Sequence, residues 1–113
     1  MKSKISSLSK SEDFKNLLNG KRISNPYSTI FFKKISSKSN KLLNVSFVAK
    51  KKIGNAVKRN KIKRRLRNIV NELINKMPLN FKFSYLVIAK PTMLNNNYTN
   101  IKETLFQEFK KIR

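Results

Sequence analysis

The residues with the greatest potential for chemistry lie in one basic segment, residues 50–67, which holds ten of the 27 lysines and arginines of the chain. Gly54 interrupts an extended run, and Asn55 is a suitable N-cap for a helix that follows. Arginine can grip phosphate oxygens with two parallel hydrogen bonds, lysine supplies a point charge, and helix N-terminal amides attract anions. The segment therefore predicts a phosphate-binding surface. Its basic residues are Lys50, Lys51, Lys52, Lys58, Arg59, Lys61, Lys63, Arg64, Arg65 and Arg67.

The charge of the whole chain supports this interpretation. The formal net charge is +22, and the 58 residues between Asp13 and Glu72 contain no carboxylate. So many charges of the same sign repel one another and oppose a compact state unless a polyanion neutralises them. Lysines and arginines that neutralise phosphates also release counterions, which favours binding. A solvated basic surface without a ligand is the alternative. Asn60, inside the basic run, favours binding because its amide adds directed hydrogen bonds that solvation does not require.

Several classes of chemistry are disfavoured by what the chain lacks. It contains no His and no Cys, which removes the commonest general base, the thiolate nucleophile, disulfides and zinc fingers. Glu12 and Asp13 are the only adjacent acids, and they suit the start of a helix better than a metal site. We expect no catalytic residue and no metal ligand in the protein. Without a signal peptide or a run of ~18 apolar residues, we expect a cytoplasmic location.

Hydrophobic patterning predicts the elements that position the basic segment. One domain spans residues 1–113, with residues 1–10 expected to be flexible. Its class is α/β (α+β), a two-layer sandwich of order α-β-β-α-β-α with a mixed sheet. The first two strands are predicted to pair as an antiparallel hairpin across a polar turn at 36–41. The predicted helices cover residues 11–19, 55–76 and 98–112, and the predicted strands cover 27–34, 42–49 and 83–89.

The helical segments are amphipathic, and the apolar side of each is predicted to face the core. In the long helix, six apolar residues fall within roughly 100° of arc at ~100° per residue, and Asn60, Arg64, Arg67 and Asn68 lie opposite. The predicted seam is Ile62, Leu66, Ile69, Val70, Leu73 and Met77. The last helix carries a similar stripe, Ile101, Leu105, Phe109 and Ile112.

The basic segment resembles the signature of the bacterial ribonuclease P protein family, Lys-Lys-x-Gly-x-Ala-Val-x-Arg-Asn-x-x-Lys-Arg-x-x-Arg. Lys61 departs from the family's Arg-Asn-Arg core, keeping the charge but losing the bidentate geometry. A buried strand ending in Ala89-Lys90-Pro91 also follows the family order. The matching positions are Lys51, Lys52, Gly54, Ala56, Val57, Arg59, Asn60, Lys63, Arg64 and Arg67.

The resemblance implies the activity and the partners. In this family, a catalytic RNA binds Mg²⁺ and removes the 5′ leader of precursor tRNA. The protein is a subunit of this endoribonuclease and is inactive by itself. The implied partners are ribonuclease P RNA and precursor tRNA, with no membrane and no obligate protein partner. The implied fold has a left-handed strand–helix–strand crossover, although topology rules favour the right hand in about 98% of cases.

The resemblance also implies residue roles. Aromatic faces in a cleft between the first helix and the sheet stack on unpaired leader bases with little sequence preference. The implied leader-binding residues are Phe14, Lys15, Leu18, Phe31 and Lys51. Core packing is the alternative role for Phe14 and Phe31, and Leu18 stands where many members of the family carry a second aromatic residue. The implied contacts to the catalytic RNA are Lys52, Asn55, Lys58, Arg59, Asn60, Lys61, Lys63, Arg64 and Arg67.

Two other interpretations of the charge remain open at this point. A ribosomal or chaperone-type RNA-binding protein without an enzyme role would explain the charge, but not the Gly-Asn-Ala-Val entry to the basic helix. A membrane-surface helix is less favoured because the chain has enough apolar sequence for its own core.

Overall fold

The computed structural model describes residues 5–6, 11–34, 43–76 and 83–112, with side chains from residue 14 onward. The predicted order of helices and strands is confirmed, and two short strands that the sequence did not reveal are added to it. The helices are α1 (Ser11–Leu18), α2 (Ala56–Lys76) and α3 (Tyr98–Lys111). The strands are β1 (Ile5–Ser6), β2 (Lys21–Ser24), β3 (Ser28–Lys34), β4 (Leu43–Val48) and β5 (Phe83–Ala89).

Five strands form one mixed sheet in the order β1-β4-β5-β3-β2. The central strand, β5, runs antiparallel to β3 and parallel to β4. The helix α2 connects β4 to β5, so these elements form a strand–helix–strand unit. The hand of this crossover stays a prediction. Of residues 1–10, the structure describes Ile5–Ser6, which pair with β4. The predicted flexibility of the other residues in this range lies outside the described residues.

The predicted hairpin between β3 and β4 is wrong, because β5 lies between these two strands. The strand β5 has apolar side chains on both faces, and such a strand buries most surface in the middle of a sheet. The hairpin that does form joins β2 to β3. Its turn is closed by Asn25, whose Oδ1 accepts hydrogen bonds from the backbone N–H groups of Tyr27 and Ser28, both at 2.8 Å. The predicted turn at 36–41 lies outside the described residues.

The main core lies between one face of the sheet and the helices α2 and α3. The predicted α2 seam is buried at Ile62, Leu66, Ile69, Val70 and Leu73, and Met77 lies outside the described residues. The predicted stripe of the last helix is buried at all four positions. From the sheet, Ile30, Val45, Tyr85 and Val87 complete this core. The seam interpretation of both helices is therefore confirmed.

A second, smaller apolar cluster lies on the other face of the sheet, under α1. Leu17 of α1 and Leu86 of β5 are its buried members. Because successive strand residues point to opposite faces, Leu86 faces α1 while Tyr85 and Val87 face α2 and α3. Phe14, Phe31, Val48 and Ile88 pack against this cluster and remain partly exposed.

Polar contacts fix the helix ends and join α2 to α3. Asn97 caps α3, its Oδ1 accepting from the Asn100 N–H at 2.8 Å. The Tyr98 hydroxyl donates to Glu72 Oε1 at 3.3 Å, and Lys102 Nζ lies 3.3 Å from Glu72 Oε2. Burial, and then the nearby Glu72 carboxylate, raise the pKa of Tyr98. The neutral tyrosine therefore stays a hydrogen-bond donor to Glu72 between the two helices.

Gly20 allows the end of α1 to press against β3. A Cβ atom at Gly20 would lie 2.7 Å from the Phe32 carbonyl oxygen and 2.9 Å from Lys33 Cβ. The first of these neighbours is backbone, so it cannot rotate away. The close approach brings the end of α1 directly against the sheet.

We expect Gly20→Ala to destabilise the protein by about 1–3 kcal/mol, the usual cost of overpacking. Urea unfolding followed by far-ultraviolet circular dichroism measures this free energy. The control is Asn19→Ala, at the exposed neighbouring position. Equal stability of Gly20→Ala and the wild type would contradict the close approach.

Candidate nucleic-acid interface

The first candidate surface is the outer side of α2, opposite the buried seam. A 21-residue helix is about 30 Å long at ~1.5 Å per residue, and its basic residues lie mainly in the N-terminal two-thirds. Arg59 and Arg65 are partly exposed. Arg59 is one of the predicted RNA contacts, and the remaining ones on the helix are exposed, namely Lys58, Asn60, Lys61, Lys63, Arg64 and Arg67. Packing of the seam therefore orients these groups away from the core.

The start of α2 is held by a short turn and an N-cap. Lys51–Ile53 form a 3-10 turn in which Ile53 is buried and both lysines are exposed. Gly54 has a φ of +148°, a conformation that favours glycine. Asn55 Oδ1 then accepts a hydrogen bond from the Lys58 N–H at 3.0 Å. The predicted N-cap is confirmed, so the Asn55 side chain helps to set the direction in which the basic helix leaves the sheet.

Arg59 differs from the exposed basic residues of α2 because it is half-buried. Its Nε atom is buried and has no hydrogen-bond partner among the described residues. Exposed arginines lose considerable rotamer entropy when they bind. The packed stem of Arg59 has already lost part of this freedom.

The second candidate surface is a cavity of about 260 Å³ on the α1 face of the sheet, at the carboxyl end of β5. Phe31 contributes an aromatic side chain to it. Four cations, from β2, the α2 entry and the end of β5, line it as well. We call this cavity the groove. It is lined by Arg22, Thr29, Phe31, Lys50, Lys52, Ile88, Ala89, Lys90 and Pro91.

Lys90 is the most firmly positioned cation of the groove. Its Nζ donates to Ser24 Oγ at 2.8 Å and to the Asn25 carbonyl oxygen at 2.7 Å. Its backbone N–H donates to the Tyr27 carbonyl oxygen at 2.8 Å. An ammonium group has three donors. Two are used to hold the β2–β3 turn, which leaves one for a ligand in the groove.

The structure brings some of the predicted leader-binding residues together and leaves others apart. Phe31 lines the groove, and Phe14 packs against the same apolar cluster as Phe31. Both rings are partly buried, so each contributes to packing and keeps an accessible part. Lys15, Leu18 and Lys51 are exposed but do not line the groove. Lys52, predicted to contact the catalytic RNA, lies in the groove lining beside Phe31.

Sequence reasoning missed two cations of the groove, Arg22 and Lys90, as binding residues, and it assigned Lys50 to the basic segment without predicting its place in the groove. Arg22 lies on β2, a strand that was not predicted, and pairs with Phe31 of β3. The Asn25-Pro26 dipeptide is a turn signal that could have revealed the β2–β3 hairpin. Lys90 had been noted only as part of a motif, and its position against the β2–β3 turn depends on strand pairing.

The described carboxylate residues are separated in sequence from the basic residues of both surfaces. Glu72 is in the C-terminal half of α2, and Glu103 and Glu108 are on α3. Among the residues with described side chains, no three of His, Cys, Asp and Glu group closely enough to hold a metal ion. Within the same part of the chain, no helix is long and apolar enough to cross a bilayer.

Comparison with known proteins identifies the family. The family model described as Ribonuclease P matches residues 2–113. The ribonuclease P protein component of Fusobacterium nucleatum is 32% identical over 111 residues, covering 94% of this chain and 96% of that protein. The corresponding protein of Carboxydothermus hydrogenoformans is 30% identical, covering 94% and 90%.

Comparison with solved structures supports the same family. The ribonuclease P protein of Thermotoga maritima superimposes with a TM-score of 0.79 at 26% identity, covering 96% of this chain and 98% of that one. A Staphylococcus aureus ribonuclease P protein, at 24% identity and a TM-score of 0.78, has the same fold. These matches do not favour a ribosomal or chaperone-type protein without an enzyme role. The chain belongs to the ribonuclease P protein family and is the protein component of an endoribonuclease ribonucleoprotein.

Proposed function

We propose that this chain binds the 5′ leader of precursor tRNA in the groove while the exposed side of α2 binds ribonuclease P RNA. The observation that carries the proposal is the position of the two basic surfaces on opposite faces of the sheet. The seam of α2 packs against one face, and Phe31 of the groove lies on the other. Two RNA segments can therefore be bound at once, and of the proposed contacts only Lys52, at the α2 entry, belongs to both surfaces.

The groove has the chemistry that an unpaired RNA strand requires. The Phe31 ring offers a face for stacking on a base of any identity, and stacking contributes about 1–3 kcal/mol per base. Arg22, Lys50, Lys52 and Lys90 supply cations for the phosphates. Phe14, Lys15 and Leu18 are proposed to extend this contact along α1, and the exposed Lys51 to extend it at the α2 entry. Leaders of varied sequence suit such a site, because neither stacking nor phosphate contacts depend strongly on base identity.

Ribonuclease P RNA is proposed to contact the outer side of α2. Arg64 and Arg67 are exposed and can each bind a phosphate through two parallel hydrogen bonds. Arg59 offers a cation whose stem is already packed. Lys61, in place of the family's arginine, supplies charge without the planar fork. The remaining proposed contacts are Lys52, Asn55, Lys58, Asn60 and Lys63.

We propose that Mg²⁺ serves the reaction mainly through sites on the RNA, in the cytoplasm. The ion supplies Lewis-acid activation and charge neutralisation at the scissile phosphate. The residues of this chain act differently: they neutralise phosphates where two RNA molecules approach each other. A surface that lowers this repulsion reduces the concentration of Mg²⁺ needed for assembly.

The experiment that tests the function is cleavage of a 5′-extended precursor tRNA by a bacterial ribonuclease P RNA at low Mg²⁺. We expect the protein alone to be inert and the RNA with protein to cleave at the mature 5′ end. The control is the same reaction at high Mg²⁺, where the benefit of the protein should shrink. An RNA that gains nothing from the protein at any Mg²⁺ concentration would contradict the proposed function.

The α2 interface makes a prediction about salt dependence. Replacing Arg59, Arg64 and Arg67 by Ala should make the plot of log affinity for ribonuclease P RNA against log salt shallower, by about 0.7–0.9 for each phosphate that is no longer neutralised. Filter binding over a range of KCl concentrations measures this slope. The matched control removes three exposed charges elsewhere, at Lys76, Lys110 and Lys111. An unchanged slope in the arginine variant would rule out binding of RNA phosphates by these arginines.

The groove makes a separate prediction. Phe31→Ala should weaken binding of leader-bearing precursor tRNA more than binding of mature tRNA, because only the precursor places bases on the ring. Fluorescence anisotropy with both RNAs, in the presence of ribonuclease P RNA, measures the difference. Phe47→Ala is the control, because Phe47 is also a half-buried strand residue but lies on the other face of the sheet. Equal weakening for the two RNAs would show that Phe31 only packs.

A further inference from the structure

A second cavity, of about 390 Å³, lies at the opposite end of strands β3 and β5 from the groove. The groove contains Thr29 of β3, whereas this cavity contains Lys34, five residues and thus about 16 Å further along the strand. Consecutive residues of β3 line the two cavities, since Phe31 lines the groove and Phe32 lines this cavity. We call this second site the corner cavity. It is lined by Asn19, Gly20, Lys21, Phe32, Lys33, Lys34 and Phe83.

Two aromatic rings meet edge to face in the corner cavity. The ring centroids of Phe32 and Phe83 are 5.6 Å apart at an interplanar angle of 81°. Phe83 in turn contacts Tyr85, and Tyr85 contacts Phe109 in the main core. This chain of contacts fixes the orientation of the outer rings. Both Phe32 and Phe83 remain partly exposed, so the cavity presents rigid aromatic surface to solvent.

The rim of the corner cavity is cationic. Lys21, Lys33 and Lys34 are exposed, and Lys34 Nζ lies 5.8 Å from the centroid of the Phe83 ring. None of the residues that line the cavity is acidic. Among the described residues, the ion pairs of Glu72 and Glu108 are made with lysines of α3. The potential in the cavity is therefore positive.

The wall of the corner cavity is rigid as well. Gly20 closes one side, where α1 ends against the backbone of β3, and a side chain there would collide with the Phe32 carbonyl oxygen at 2.7 Å. The volume falls in the usual range for small-ligand sites, about 300–1,000 Å³. A preformed site of this kind loses little entropy when it binds a ligand.

We propose that the corner cavity binds one unpaired RNA nucleotide, with its base against the Phe83 and Phe32 rings and its phosphate near the three lysines. Aromatic surface combined with cations is the combination that binds single-stranded nucleic acid. The site goes beyond the leader groove and does not depend on what the groove binds. The nucleotide comes either from ribonuclease P RNA or from precursor tRNA, since both present the same chemistry.

The first test is a titration of the whole protein with uridine 5′-monophosphate, followed by amide signals in nuclear magnetic resonance spectra. We expect saturable shifts at Gly20 and Lys33. In Phe83→Leu the affinity reported by those signals should fall about fivefold or more, the low end of what base stacking contributes. Lys34→Gln should lower the same affinity, because it removes a cation near the phosphate. Absence of shifts at Gly20 and Lys33 would overturn the proposal.

Matched controls separate stacking from general packing and charge. Lys76 Nζ lies 5.9 Å from the Phe106 ring, which reproduces the Lys34–Phe83 pair on α2 and α3. Phe106→Leu and Lys76→Gln should leave the affinity at Gly20 and Lys33 unchanged. Equal reductions in the control and test variants would overturn the proposal. If Phe83→Leu fails to fold, Lys34→Gln still tests it, because Lys34 is exposed.

The second test identifies the source of the nucleotide. The chain contains no Cys, so Lys33→Cys can carry a single tethered iron chelate that cleaves nearby RNA with hydroxyl radicals. In the assembled complex, cleavage within ribonuclease P RNA identifies that RNA as the source, and cleavage within precursor tRNA identifies the substrate. Cleavage of neither overturns the proposal. The leader assignment is tested separately by Phe31→Ala, so failure of one does not imply failure of the other.

Discussion

The burial of the α2 seam against the sheet is the constraint on which both candidate RNA-binding surfaces depend. Full burial of a large aliphatic side chain contributes about 1.5–3 kcal/mol, and five residues of the seam are buried. Two like charges 4 Å apart repel by only about 1 kcal/mol in water, and salt screens them further. Burial therefore outweighs the repulsion along α2. The helix can keep a dense row of cations on its outer side because its inner side is so apolar.

The central position of β5 organises the rest of the molecule. Its alternate residues serve two separate apolar clusters, with Tyr85 and Val87 under α2 and α3, and Leu86 under α1. The same strand is followed by Lys90, which holds the β2–β3 turn and lines the groove. It begins at Phe83, which lines the corner cavity. Both cavities are thus built on one rigid element, which restricts how far they can move relative to each other.

The chain has a net charge of +22 with few carboxylates, which is typical of a protein that binds RNA. Its described carboxylates support the α2–α3 contact and the end of α3, as in the Glu72–Lys102 and Glu108–Lys111 pairs. Among the residues with described side chains, no carboxylate forms an ion pair with the cationic surfaces and competes there with phosphate. This division fits the protein component of a ribonucleoprotein, in which the protein supplies positive charge and shaped surfaces to an RNA partner.

Local sequence was sufficient to predict the helices, three of the strands, the apolar seams and the family. These features depend on periodicity and on a motif contained in one stretch of chain, so neighbouring residues carry the information. The N-cap at Asn55 was predictable for the same reason. The position of β5 between β3 and β4 required the folded molecule, because strand order depends on which strand gains most from burial on two faces. The meeting of Arg22, Lys50 and Lys90 at Phe31 required it as well, since these residues are distant in sequence and are brought together only by strand pairing.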